Sequence, residues 1–278
     1  MKSTQQIYQD ENNNITSPKL FAELQQRVLW RTQEKVALFN ALGPDHPGTI
    51  EATLRLAEAK TQVQDYDEAL ALTKEAYDAF LRIFGEEGKP TVDTFIALAD
   101  AHLQAGDPHT AKEMAQQFLE KESPIDTEDV LMGLDAKEIL ADAYQDLHEF
   151  SHETKVRSEL VIDLEQMYGP HHPETIISIQ VLASRLRTTG STNQAVPLYE
   201  KLLALMQDGQ DYAGTVGAMT DLALCYSEDG RRGDALSSAQ EAVRIGRQVL
   251  GENDASTLFA LKALEQISST VGSDSPTV

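Results

Sequence analysis

The chain is poor in cysteine, in cations and in aromatic side chains, and each shortage removes a class of function. One thiol, Cys225, excludes a disulfide framework and any cysteine-rich zinc module. Lys and Arg number 23 against 45 Asp and Glu, a formal charge of −22. Binding nucleic acid through its phosphates needs clustered cations, so this balance argues against it. The same deficit disfavours docking on an anionic membrane surface. No stretch approaches the ~18 consecutive apolar residues of a membrane span. The opening MKSTQQIYQDENNN has no apolar core and does not read as a secretory signal. The sequon Asn14-Ile15-Thr16 is therefore expected to be silent, and the expected location is cytoplasmic. Catalytic signatures are missing too: no G-x-S-x-G, no phosphate-binding glycine loop with Lys, no G-x-G-x-x-G after a strand.

What is present suffices for a core. Hydrophobic residues are 41% of 278, which argues against wholesale disorder. Charge is unevenly placed. Residues 1–42 carry a net +1 and the remainder −23, so the acidity must cover folded surfaces.

The chain repeats itself. Leu-Ala recurs at Leu56-Ala57, Leu98-Ala99, Leu140-Ala141, Leu182-Ala183 and Leu222-Ala223, at spacings of 42, 42, 42 and 40. Seven residues after each Ala stand Gln64, Gly106, His148, Gly190 and Gly230, and twelve after it Ala69, Ala111, Glu153, Ala195 and Ala235. Gly43, Gly85, Gly169, Gly209 and Gly251 precede the units on the same lattice, with one member missing. Each unit reads as two amphipathic helices around a short polar turn, as in Leu54, Leu56, Ala57 and Val63 followed by Ala69, Leu72, Ala76 and Phe80. One such pair cannot bury its apolar face alone. Stacked pairs share a continuous core, so an all-α solenoid of antiparallel helix pairs is expected.

Three stretches carry a resemblance: Leu-Gly-Pro-Asp-His-Pro-Gly-Thr at 42–49, Tyr-Gly-Pro-His-His-Pro-Glu-Thr at 168–175, and Tyr66-Asp67-Glu68-Ala69-Leu70. With Tyr144 and Tyr226 three residues after the repeated Ala, the sequence resembles the tetratricopeptide repeat, in the 42-residue variety of kinesin light chains. The resemblance spans roughly residues 43–268 and implies a right-handed superhelical solenoid. The expected order is a disordered segment 1–14, an opening helix 15–42, five helix pairs over 43–253, a closing helix 254–269 and a disordered tail 270–278. Trp30, on the opening helix, is expected to cover the first repeat's core or to anchor a partner. Unit three departs from the pattern at Ser123-Pro124, His148 and Glu153 and is expected to pack more loosely or to bend the stack.

His148-Glu149-Phe150-Ser151-His152 matches the H-E-x-x-H zinc-protease pattern. That chemistry needs both imidazoles on one helical face. The lattice places His148 at a turn, so the match is read as coincidental and no catalytic residue, metal or cofactor is expected. Cys225, within an apolar helical run, is expected to be a buried structural thiol. His46, His171 and His172 are read as helix-start residues.

In the family that the chain resembles, the first helix of each pair lines a concave groove where ligands lie. Six residues before and one after each repeated Ala, two helical turns apart, stand Glu51 and Glu58, Asp93 and Asp100, Asp135 and Asp142. Leu54, Ile96 and Glu138 lie between them, while units four and five offer Gln180 and the cation Arg187. Acids near helix starts favour the macrodipole and solubility; as a ladder they would also steer a basic segment. The Asn pair that kinesin light chains carry before Leu-Ala is absent here, as are the Lys and Asn of carboxylate-clamp relatives, so neither specificity transfers. The expected function is a non-catalytic adaptor or scaffold holding a basic or amphipathic peptide segment of a partner protein, without nucleic acid or membrane. The alternatives are an enzyme, or an accessory subunit of an enzyme or biosynthetic complex, with the groove as pocket, and a regulatory subunit whose pitch changes on binding.

Overall fold

The computed structural model describes residues 18–121, 127–206 and 211–272, and these form twelve α-helices without a strand. The expected disordered segment 1–14 lies outside them, as do residues 273–278 and Ser123-Pro124. The chain divides into two compact units, 1–147 and 148–278. The boundary falls in the turn of the third expected helix pair.

The first unit holds α1 (Pro18–Leu42), α2 (Pro47–Gln62), α3 (Tyr66–Phe84), α4 (Lys89–Gln104), α5 (Pro108–Glu120) and α6 (Thr127–Asp146). Successive helices pack on one another, and α4 also lies against α6. The second holds α7 (Phe150–Tyr168), α8 (Pro173–Thr188), α9 (Thr192–Met206), α10 (Tyr212–Glu228), α11 (Arg232–Ile245) and α12 (Ala255–Gly272). There α8 lies against α10, and α10 against α12. First helices thus neighbour first helices, the solenoid way of stacking helix pairs.

Local chemistry sets the helix ends. His46 and His172 stand before α2 and α8, each Nδ1 accepting from a first-turn amide, Gly48 N at 3.1 Å and Glu174 N at 3.3 Å. Pro47 and Pro173 follow, at positions where a helix leaves an N–H unused. The turn inside each pair is a left-handed residue. Gly106, Gly190 and Gly230 have φ of 81°, 79° and 74°, and Gln64 and His148 adopt 63° and 58° at the same lattice position. His148 is therefore the end of a turn, outside α7, whereas His152 lies in α7's first turn. The two imidazoles do not share a helical face, and the arrangement that the H-E-x-x-H pattern requires is not formed.

Small residues and buried threonines recur where the helices meet. Ala57, Ala99, Ala141, Ala183 and Ala223 are all buried. In the first unit Leu56, Ala57 and Leu72 form a core with Val28 of α1; in the second, Ile179, Leu182, Tyr199, Leu202 and Leu222 dominate. Thr49, Thr91, Thr175 and Thr257, each six residues after a lattice Gly, are buried, and Thr175 Oγ1 donates to Gly169 O at 2.9 Å. Tyr144 accepts from Gln116 Nε2 at 2.9 Å, and the Tyr226 hydroxyl donates to Glu200 Oε1 at 2.8 Å. Gln116 and Glu200 each stand five residues after their repeat's second-helix Ala, so one tie between a second helix and the next first helix occurs in both units. Near the end, α11 continues into a wide turn at Gly246–Leu250, where a Cβ on Gly246 would come within 2.7 Å of Thr257 Oγ1.

Glu153 replaces the lattice Ala in α7 and is fully buried. Its Oε1 accepts from Arg157 Nε at 2.9 Å and Arg185 Nε at 2.7 Å, and its Oε2 from Arg185 Nη2 at 2.9 Å. The departure seen in the sequence is thus a buried carboxylate held between two guanidiniums, joining α7 to α8. Trp30 does not cover the first core: it is 54% exposed with the Arg31 guanidinium 4.4 Å over its ring, and Val28 packs inward instead.

Two outcomes follow from these placements. Glu153→Ala strands two guanidiniums at a buried site and is expected to cost about 3–5 kcal/mol in urea unfolding, and Glu153→Ala with Arg157→Leu less than Glu153→Ala alone. His148→Gly relieves a left-handed non-glycine residue and is expected to raise stability by about 1 kcal/mol in the same assay.

Candidate functional site

The acidic ladder falls within the first unit, on α2, α4 and α6. Glu51 and Glu58 are exposed on α2, but Arg55 Nη1 stands 3.7 Å from Glu51 and Arg55 Nη2 reaches Glu34 of α1 at 3.0 Å. That rung is partly neutralised by Arg55, a cation that lies outside the recurring acidic positions. Leu54 packs on Ile50, Ala76 and Phe80, and Ile96 is buried at 6% exposure, so both serve the core.

Acidity concentrates on α4 and α6. Asp93, Asp135 and Glu138 are exposed, and Asp100 and Asp142 half-buried. Gln104 Nε2 donates to Asp100 at 2.6 Å. Desolvation pushes the Asp100 carboxyl above its ordinary range against that hydrogen bond, and the charge of Asp142 pushes it further. Asp135 is raised by desolvation and then by the charge of Asp100. The two helices thus bring three carboxylates within electrostatic reach of one another. Such a cluster stores repulsion that a cationic ligand would relieve.

The second unit presents a different inner layer. Gln180 and Arg187 on α8 are half-buried. Arg187 is not a lone cation: Nη2 lies 3.3 Å from Asp221 Oδ1 and Nη1 3.9 Å from Glu228 Oε1, both on α10. Burial keeps Asp221 above the ordinary carboxylate range even so. Behind this pair the Tyr199 hydroxyl is pushed up by burial, and the Cys225 thiol, fully buried, is pushed up to about 12 by the same cause. A protonated, enclosed thiol is no nucleophile. A shallow depression of about 510 Å³ is lined by Gln240, Val243, Arg244, Arg247, Gln248 and Leu264, a lining without carboxylate or thiol. Among the described residues no three His, Cys, Asp or Glu side chains converge as ligands for a metal, and no helix is long and apolar enough to cross a membrane.

A fold of stacked helix pairs with charged first-helix layers defines a helical repeat protein. Residues 49–120 and 215–256 each match a model of the tetratricopeptide repeat, so each of the two units carries tetratricopeptide repeat sequence. No curated protein gives a significant match. Solved structures similar to it include a Podosopora anserina putative kinesin light chain with nearly identical TPR-like repeats, at 18% identity, TM-score 0.59, covering 74% of this chain and 97% of that one. BtubC (BKLC) from P. vanneervenii is similar at 17% identity, TM-score 0.60, covering 85% and 93%. YrrB, described as a TPR protein with an unusual peptide-binding site, is similar at 14% identity, TM-score 0.51, covering 83% and 97%. The tetratricopeptide repeat fold suggests a protein-interaction scaffold.

The raised carboxyls predict a pH effect. A folded pKa above the unfolded one means that the native state binds more protons, so stability falls as pH rises through the folded values. Asp100→Asn is expected to raise the melting temperature at neutral pH. The gain should vanish near pH 4, in about the ordinary carboxylate range, by calorimetry.

Proposed function

We propose that the chain is a non-catalytic adaptor which holds a basic or amphipathic peptide segment of a partner protein against the acidic first-helix layer of its first unit. The observation that carries the reading is the closeness of Asp100 to Asp142 and Asp135: beyond desolvation, the charge of Asp142 raises the Asp100 carboxyl and the charge of Asp100 raises that of Asp135. A protein does not gain stability from such an arrangement, and a Lys or Arg of a ligand would relieve it. Glu51, Glu58, Asp93 and Glu138 extend the field along the same layer and accelerate encounter with cations while rejecting acidic segments. The peptide-binding site named for YrrB is in keeping with this use of the fold. Gln180 and Arg187 of the second unit are assigned to polar contacts with the same class of ligand, with Arg187 tempered by Asp221.

Fluorescence anisotropy with labelled 12–15-residue peptide libraries of basic, neutral and acidic composition tests this. Basic peptides are expected to bind best, with affinity falling as salt rises. Asp100→Lys with Asp142→Lys should weaken the best binder by at least about tenfold while circular dichroism keeps its helical signal. Equal binding of all three compositions, or of wild type and variant, defeats the reading.

A further inference from the structure

The junction between a second helix and the next first helix is built differently at α11 and α12. Three residues after the repeated Ala the first helices carry Lys60, His102, Tyr144, Leu186 and Tyr226; on α12, where Glu265 takes the place of that Ala, the residue is Ser268. Tyr144 and Tyr226 fill their junctions with a ring and bond to Gln116 and Glu200 of the helix before. Gln240 holds the corresponding place on α11, and among the described residues its side chain meets no hydrogen-bond partner. Ser268 is exposed and turns its hydroxyl back to Leu264 O at 2.7 Å. The depression of about 510 Å³ lies here, with Gln240 and Leu264 in its lining. Leu56, Leu98, Leu140, Leu182 and Leu222 are all buried, whereas Leu264, at the same lattice position, is half-buried and forms an apolar floor with Val243.

The charged groups of this hollow are both cations, in a chain of net charge −22. Arg244 is engaged: Nε and Nη2 donate to Glu241 at 2.7 and 2.6 Å, and Nη1 to Gln248 at 2.9 Å. Arg247 meets Glu252 through Nε at 3.5 Å, which leaves its Nη groups for a ligand. The positions of Arg244 and Arg247 hold Asp78 and Leu81 in α3, and Ile162 and Glu165 in α7, so the packing of a second helix does not ask for cations there. An apolar floor beside a guanidinium fits an apolar side chain accompanied by a carboxylate.

We propose that this hollow docks an acidic peptide segment of a partner protein through a tyrosine. The ring lies on Val243 and Leu264, and Gln240 donates to its hydroxyl as Gln116 does to Tyr144. The ligand thus supplies the ring that Tyr144 and Tyr226 supply at the other two junctions. Gln240 and Arg247 are seven residues apart, about 10 Å at ~1.5 Å per residue. An extended peptide covers that length in about three residues, so a carboxylate at that distance from the tyrosine meets the Arg247 guanidinium. The preference is opposite in sign to that of the acidic layer on the first unit and does not rest on it.

Fluorescence anisotropy of the full chain tests this with labelled Gly/Ser peptides of about nine residues, each with a central tyrosine and with Glu, Ser or Lys about three residues to either side. The Glu peptides are expected to bind with dissociation constants of roughly 10–100 µM, and the Lys peptides at least about tenfold more weakly. Arg247→Glu should weaken the Glu peptides by at least about tenfold. Ser268→Tyr puts a ring of the chain's own into the hollow, so it should abolish binding and raise the melting temperature through a new bond to Gln240. Both positions are exposed, and circular dichroism should keep its helical signal in each variant. No Glu peptide bound at about 1 mM, equal binding of Glu and Lys peptides, or wild-type binding by either variant overturns the proposal.

Discussion

A helix of 13–20 residues with one apolar stripe gains little by itself, and each pair can close only if the chain reverses within three residues. That reversal needs a residue in the left-handed region, and the chain supplies one at all five turns, three times as Gly and twice as a strained side chain. Once the turn is made, a buried Ala lets the paired backbones approach, and the next first helix completes the core. Fixed turn geometry, small contact residues and shared burial are one constraint, met again roughly every 42 residues. The ties from Tyr144 to Gln116 and from Tyr226 to Glu200 add a hydrogen bond at the same recurring junction.

Charge is handled in three ways on this scaffold. Glu153 is fully enclosed and receives two guanidiniums, which offset the cost of taking its charge out of water. Arg187 is half-enclosed and bridges to α10. Asp100 and Asp135 are partly desolvated yet face like charge, and their protonation equilibria register the cost. The last arrangement works against folding, and a cationic side chain from outside would reverse it. That asymmetry between paired and crowded carboxylates separates the structural charges from the ones proposed to meet a ligand.

Repeat period, helix pairing, the turn position of His148 and the burial of Cys225 were all legible in the sequence, because each rests on a short-range rule of spacing, glycine placement or apolar periodicity. The buried threonine six residues after Gly43, Gly85, Gly169 and Gly251 was equally legible, though only the stretches holding Thr49 and Thr175 stand out as a motif. Other features had no local signature. Glu153 looks like a disruption until Arg157 and Arg185 are seen around it, since the partner from α8 is 32 residues away. Trp30 looks like a core residue until the helix is rotated against α2 and Val28 takes the inner place. Arg55 tempers Glu51, and Asp221 tempers Arg187, through contacts that depend on side-chain reach as well as spacing. Periodicity alone determined which residues form helices and which turns join them; the rotation of each helix about its axis, and with it which charges meet, is a property of packing that only the tertiary structure decided.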